Sequence, residues 1–273
     1  METGSAFAAL RRDEKMPVLR FMKTSLSSIV QYCDRTLRTS EVGDYPNIAN
    51  GLQVANRGRV SRIAAAVDAS LATVKLAIEA KADLLIVHHG LFWSPSHPWT
   101  GKKYELIRLL IENDVAVYSS HLPLDAHPKL GNNAQLAAAL GLRHLKPFFP
   151  EHGGLIGLKT RQRISRRELG ARLERALGSE PLLIPGGNET CECIGVVTGG
   201  AGDGLKECVE AGVDTLITGE GPHWTYAMAE ELGLNVFQGG HYLTETFGVK
   251  ALAAELSKKF KVPWVFVDHP TGL

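Results

Sequence analysis

Apolar residues along this chain keep changing rhythm between a helical spacing and short unbroken runs. Residues 24–38 (TSLSSIVQYCDRTLR) carry apolar side chains at helical spacing, with Ser25, Ser27 or Ser28 available as the N-cap. Residues 63–67 form a short strand-like run, 71–80 return to helical spacing, and 84–87 are wholly apolar, as in a strand buried on both faces. The alternation continues with a helix over 104–113, a strand over 115–118 and a helix over 133–140. Single helices between strands predict an α/β fold with parallel pairing through βαβ units.

The chain also matches itself. Shifted from Ile63 to Ile194, a displacement of 131 positions, residues 63–93 lie on 194–224 without a gap. Lys75 then meets Lys206, Asp83 meets Asp214, Gly90 meets Gly221 and Trp93 meets Trp224, so ADLLIVHHGLFW mirrors VDTLITGEGPHW. A second echo sets VAVYSSHLPLD (115–125) against NVFQGGHYLTE (235–245). In both, a short strand runs into two small residues, a histidine, and a carboxylate four residues later: His121 with Asp125, and His241 with Glu245. Agreement through strands, helix and loop favours a duplicated unit over chance likeness between two βαβ segments. Each half then ends neighbouring strands in polar loops at one edge of its sheet, where open α/β sheets place their ligands.

The stretch between the halves is different. It predicts a strand over 154–159, an amphipathic helix over 165–177 capped by Ser165 with Glu168 at capping-box spacing, a strand over 181–184, and the loop PGGNET. The expected organisation is two interlinked α/β lobes with mixed or parallel sheets flanked by helices. A poorly ordered tail occupies 1–21, a metal-binding lobe 22–145, an inserted lobe 146–234, and a return segment 235–273 completes the first lobe.

Composition narrows the partners. Hydrophobic content of 44% and charged content of 22% are those of a globular protein. A net charge of +1 gives no ground for a strongly basic nucleic-acid binder, and no nucleic-acid partner is expected. No apolar stretch is long enough to span a bilayer, and the first fifteen residues lack the apolar core of an export signal. Cys33, Cys191, Cys193 and Cys208 include only a C-x-C pair, which is neither a zinc-ribbon nor a redox spacing. Free thiols in a reducing, cytoplasmic compartment are the expectation.

Candidate chemistry lies at the strand ends. His88 and His89 follow a buried strand and precede Gly90. A lone histidine there would read as a hydrogen-bonded core residue, but two adjacent imidazoles at a strand end can address two neighbouring ions. Asp125 and Glu245, each four residues beyond a histidine, share a face with it if helices open there, and Pro123 suits a first helical turn. Singly, each carboxylate reads as a helix-start brace. Together with the imidazoles they form a nitrogen–oxygen donor set for Zn, Fe, Mn or Ni, without the thiolates of a closed structural zinc site. Paired ions normally share a bridging carboxylate, for which Glu245 is the candidate, and an open position on each would hold a water acidified towards hydroxide. His97, His127, His144 and His152 lack any partner pattern and read as ordinary polar positions, and His269 as a surface or packing residue.

The pieces PNIANGLQV, AAVDAS, ADLLIVHHGLFW, SSHLPLDAHPKLGNNAQLAAALGL, DTLITGE and GGHYLTETFGVKALA occur in that order from about residue 22 onward. In combination they resemble the YbgI-like dinuclear metal-centre hexameric proteins, often labelled GTP cyclohydrolase I type 2 homologues. The resemblance implies a toroidal homohexamer with two divalent ions per subunit facing an internal cavity. Its ligands fall on His88, His89, Asp125, His241 and Glu245. His121 stands beside the site as proton donor or as an orienting group, so His121 and Glu245 are the expected catalytic residues. The loop after DTLITG departs from the family pattern, and Glu220 and His223 are expected at most to line the cavity. The family label implies hydrolysis of a nucleotide or similar small molecule. No P-loop, G-x-G-x-x-G or guanine-reading motif identifies the substrate, and a non-catalytic metal-holding or partner-binding ring is the alternative.

Overall fold

The computed structural model describes residues 24–92 and 98–273. The expectations for the tail over 1–21, for Trp93 and for His97 lie outside the described residues. No helix among those described is long and apolar enough to cross a membrane.

Short apolar strands build the first sheet, the three central ones buried on both faces. Its order is β13 (Trp264–Phe266), β4 (Ile63–Asp68), β5 (Leu84–His89), β6 (Ala116–Ser119) and β2 (Gly51–Val54). The first four strands are parallel and β2 is antiparallel to β6. Because successive side chains alternate faces, Ile63, Ala65, Leu84, Ile86, Ala116 and Tyr118 share one core with α1 (Leu26–Leu37) and α9 (His241–Phe260). Ala64, Ala66, Leu85, Val87 and Val117 share the opposite core with α2 (Leu71–Glu79) and α3 (Lys102–Glu112). A small antiparallel pair, β1 (Thr24–Ser25) with β3 (Arg59–Val60), sits where the chain enters and leaves this layer.

The second sheet runs β7 (Lys146–Glu151), β8 (Gly154–Ser165), β10 (Thr190–Val196), β11 (Thr215–Thr218), β12 (Asn235–Gln238) and β9 (Leu182–Pro185). Its centre, β10–β11–β12, is parallel and its flanks are antiparallel, so the sheet is mixed. Ile194, Val196, Ile217 and Phe237 face α5 (Asn132–Ala139) and α6 (Arg166–Leu177). Leu216 and Val236 pack with α7 (Leu205–Glu210) and α8 (Thr225–Leu232). Ile63 pairs with Leu84 in the first sheet, and 131 positions on, Ile194 pairs with Thr215 in the second.

Local signals act as the sequence suggests at several ends. Ser25 accepts from the backbone N–H of Ser28 to cap α1, and Ser165 accepts from that of Glu168 to cap α6. Glu168 does not complete the capping box in return, because its carboxylate accepts from Arg172 one turn on. Two boundaries differ from expectation. Strand β5 runs through His89, because His89 still pairs with Asp68 of β4. Asn235–Gln238 belongs to the second sheet and not to the return segment, pairing with β11 and β9. The crossing back to the first lobe therefore begins at α9, since a four-residue apolar strand carries no local mark of the sheet it will join.

Candidate metal centre

Four histidines converge from three strand ends. His88 and His89 finish β5, and His121 follows β6 and caps α4 (Leu122–Asp125), which opens with Pro123 in its first turn. His241 follows β12 and opens α9, with Glu245 one turn later on the same face. His88 is fully buried, and Glu245, Asp125 and His121 retain 3%, 6% and 8% exposure, so these groups face one another and not solvent.

Each ring is anchored through Nδ1. His88 Nδ1 donates to the Ser120 carbonyl at 2.9 Å, His89 to Asp68 Oδ1 at 2.8 Å, His121 to Asp44 Oδ1 at 2.8 Å, and His241 to Glu220 Oε1 at 2.8 Å. A carbonyl or ionised carboxylate can only accept, so the proton of each neutral ring sits on Nδ1 and Nε2 keeps a lone pair. An outer acceptor that fixes tautomer and ring orientation is the usual support of a metal-bound imidazole.

The Nε2 atoms meet the buried carboxylates at characteristic spacings. His88 Nε2 lies 3.4 Å from Asp125 Oδ2 and 3.5 Å from Glu245 Oε1. His89 Nε2 and His241 Nε2 lie 3.3 and 3.2 Å from Glu245 Oε2. Two donors held about 2.0–2.2 Å from one tetrahedral ion stand roughly 3.3–3.6 Å apart, close to the 3.2–3.5 Å seen. His88 Nε2 and Glu245 Oε2 are buried without a hydrogen-bond partner among the described residues, a costly condition for polar atoms unless a cation satisfies them. The residues present thus fit a bound divalent metal. Ligand atoms of His88, His89 and His121 form one cluster within 4.8 Å, and those of His89, His241 and Glu245 form another.

The electrostatics agree. Burial pushes the His88 pKa down, but Asp125 and Glu245 outweigh it and hold it well above the ordinary value. Burial raises Glu245, yet His88, His89 and His241 hold it well below the usual carboxylate range. His241, lowered by burial and raised by Glu245 and Glu220, reaches about 9. Buried negative charge here calls for positive charge, from protons or from metal.

A buttress supports the centre. Asn132 Nδ2 donates to Asp125 Oδ1 at 2.8 Å, while its Oδ1 accepts the Gly248 N–H at 2.6 Å. A Cβ at Gly248 would lie 2.7 Å from that oxygen, so only glycine lets α9 approach. Asn133 ties the Thr198 N–H to the Ile156 carbonyl across β8 and β10. Asn50 accepts the His121 N–H and donates to Asp44 Oδ2, both at 2.7 Å. Gly199, at φ +72°, passes beside Glu245, with room for no side chain.

All five residues expected as ligands therefore come together, and His121 joins them more closely than an outer position would require. Asp44, Asp68, Asn50 and Asn132 did not stand out in the sequence as site residues, although Asp68, Asn50 and Asn132 lie within motifs that carried the family resemblance. Glu220 holds His241 in place, while His223 is not among the residues lining the adjoining cavity. His127 accepts from the N–H groups of Lys129 and Leu130, and His144 lines a separate cavity. The cavity beside the centre has a volume of about 410 Å³ and includes Tyr45, His121, Glu151, Thr198, Asp203 and Glu207 in its wall.

Comparison with known proteins gives concordant matches. A family model described as Duf34/NIF3 (NGG1p interacting factor 3) matches residues 24–271. A Deinococcus radiodurans protein named GTP cyclohydrolase 1 type 2 homolog is 42% identical over 235 residues, covering 85% of this chain and 89% of that protein. The crystal structure of TTHA1606 from Thermus thermophilus superposes with a TM-score of 0.84 at 41% identity, covering 92% of this chain and 100% of that one. A structure of protein ybgI, described as of unknown function, gives 0.83 at 34% identity, covering 92% and 100%.

Proposed function

The chain belongs to the Duf34/NIF3 family, and from that footing we propose that it is a dinuclear-metal hydrolase of a nucleotide-related or other heterocyclic small molecule. The observation that carries the reading is the inward set of Nε2 lone pairs around a buried glutamate with a partnerless oxygen. Glu245 presents Oε1 to His88 and Oε2 to His89 and His241, the division a bridging carboxylate needs to serve two ions. His88, Asp125 and Glu245 would hold one ion, and His89, His241 and Glu245 the other, with Zn, Fe, Mn or Ni suited to these donors. When bound, the ions supply Lewis-acid polarisation and an acidified water.

The chain's own residues do the rest. Asp44 is raised by burial but held below its ordinary pKa by His121, Asn50 and the Tyr45 backbone, so it stays ionised and fixes the His121 Nδ1 proton. With its Nδ1 proton held by Asp44, His121 turns its Nε2 edge to the cavity wall, where it would relay a proton between water and the leaving group. Asp125, held by Asn132, and Glu245, held by its helix, keep the donor geometry fixed. The name shared by relatives points towards nucleotide chemistry. Four buried unpaired thiols suit a reducing, cytoplasmic setting. The corresponding Ile63–Leu84 and Ile194–Thr215 pairings support a duplicated ancestor, and a homohexameric ring is the assembly that the resemblance in sequence implies.

The test is metal content per chain, followed by turnover of a nucleotide and phosphoester panel by wild type and Glu245→Ala. Hydrolysis that disappears with the metal and with Glu245 supports the enzyme. Two bound ions with no turnover at any pH would support the non-catalytic ring instead. A native mass near a monomer or dimer would exclude the hexamer.

A further inference from the structure

The cavity wall beyond the metal ligands is acidic. Glu151, Asp203 and Glu207 line it, and no Lys or Arg is found among the described lining residues. Glu151 lies 3.1 Å from the neighbouring His152 imidazole. With Asp125 and Glu245, five carboxylates line the crevice, and Asp44, Asp68 and Glu220 stand behind the imidazoles they anchor. Two divalent ions balance four of those charges, so even the loaded site stays net negative. Two further features mark a ligand pocket here and not merely a solvated acidic patch. Thr198, in the same wall, has a buried hydroxyl without a hydrogen-bond partner among the described residues. Tyr45 sets an aromatic ring at the wall, 5.9 Å from the His121 ring and 4.1 Å from that of His152.

We infer that this crevice selects a substrate with a cationic or neutral, N–H-rich aromatic head and selects against polyphosphates, with Glu151, Asp203 and Glu207 setting that preference. The inference rests on the reading of the metal crevice as the substrate site. A negative wall raises the local concentration of cations and repels anions of higher charge, while a planar cation gains further from an aromatic face. A triphosphate has to overcome the same wall with several charges at once. The three carboxylates instead offer acceptors to amino, amidine or ring N–H groups.

Binding of benzamidine, benzamide and benzoate to the metal-loaded protein tests this directly, because the three differ at one end in charge and little in size. Benzamidine is expected to bind on the order of tenfold more tightly than benzoate at low salt, although only benzoate offers a carboxylate to the metals. Raising the ionic strength should shrink the difference. Glu151→Gln, Asp203→Asn and Glu207→Gln combined should abolish the preference while metal content holds. Guanosine should likewise outbind GTP. Tighter benzoate or GTP binding in wild type, or an unchanged order in the triple variant at equal metal content, would overturn the proposal. Because these are equilibrium measurements, failure to find a hydrolysed substrate leaves their outcome readable.

Discussion

His241 Nε2 stands 3.2 Å from Glu245 Oε2, one turn apart on the same helix, while Glu245 Oε1 faces His88 from the other sheet. The carboxylate is thus shared between imidazoles of two lobes. Replacing it with the isosteric amide removes the charge and keeps the shape. Glu245→Gln is expected to lose bound metal at both positions, read as metal content per chain after desalting. Retention of both ions at the wild-type ratio would sink the bridging assignment.

The acceptors behind the rings should matter almost as much as the rings. Asp68→Ala removes the Nδ1 acceptor of His89, and Glu220→Ala that of His241, without touching an inward-facing donor. Losses of this type typically lower metal affinity by about 10–100-fold. Competition against a chromogenic chelator measures this, and affinities within about twofold of wild type would show that the anchors are idle.

A matched glycine pair separates strain from collision. Gly199 and Gly178 have φ of +72° and +73°, but at Gly199 a Cβ would strike the Glu245 carboxylate, whereas at Gly178 it would meet nothing within 4 Å among the described residues. Gly178→Ala should cost about 1–2 kcal/mol of stability through backbone strain alone and leave metal binding intact. Gly199→Ala should lose metal as well. Equal metal content in the two variants would argue against close packing at the glutamate.

The metal-free protein should show an opposite pH response from the loaded one. His241 is raised from 6.5 to about 9, so its protonated form stabilises the metal-free fold fully below pH 6.5 and that contribution fades as pH rises through about 9. Glu245 is held well below 4.5, so its contribution is present above that pH and is lost on acidification. The Tm of chelator-stripped protein is therefore expected to fall between pH 6.5 and about 9. Metal affinity should climb over the same window, because protons and metal compete for Nε2. A stripped Tm that rises across this range would contradict the electrostatic account.

Legibility in the sequence followed the range of each interaction. The lone pairs of His241 and the carboxylate of Glu245 meet through helical spacing, and His88 and His89 stand out because a buried strand has little other use for two imidazoles. Asp68 was invisible as a site residue, because a strand-end aspartate reads like any surface acid until register sets it opposite His89. Asp44 reaches His121 across 77 positions, a pairing that no local pattern encodes. Asn132 and Gly248 are joined by a single hydrogen bond between helices 116 positions apart, and only packing reveals it. The misplaced return at Asn235–Gln238 has the same origin, since its four residues resemble those of β6 and only pairing decides their sheet.

Helix α9 begins at the second sheet, where Gly239 and Gly240 donate to the Thr218 and Gly219 carbonyls, and then buries Val249, Leu252 and Leu256 in the first core. Its opening turn carries two donors, and the other donors come from the opposite lobe. A cation held there would therefore act as a rivet between the halves of the molecule. Any sliding of one lobe over the other would pull those donors apart, so filling the centre would hold the two halves in register.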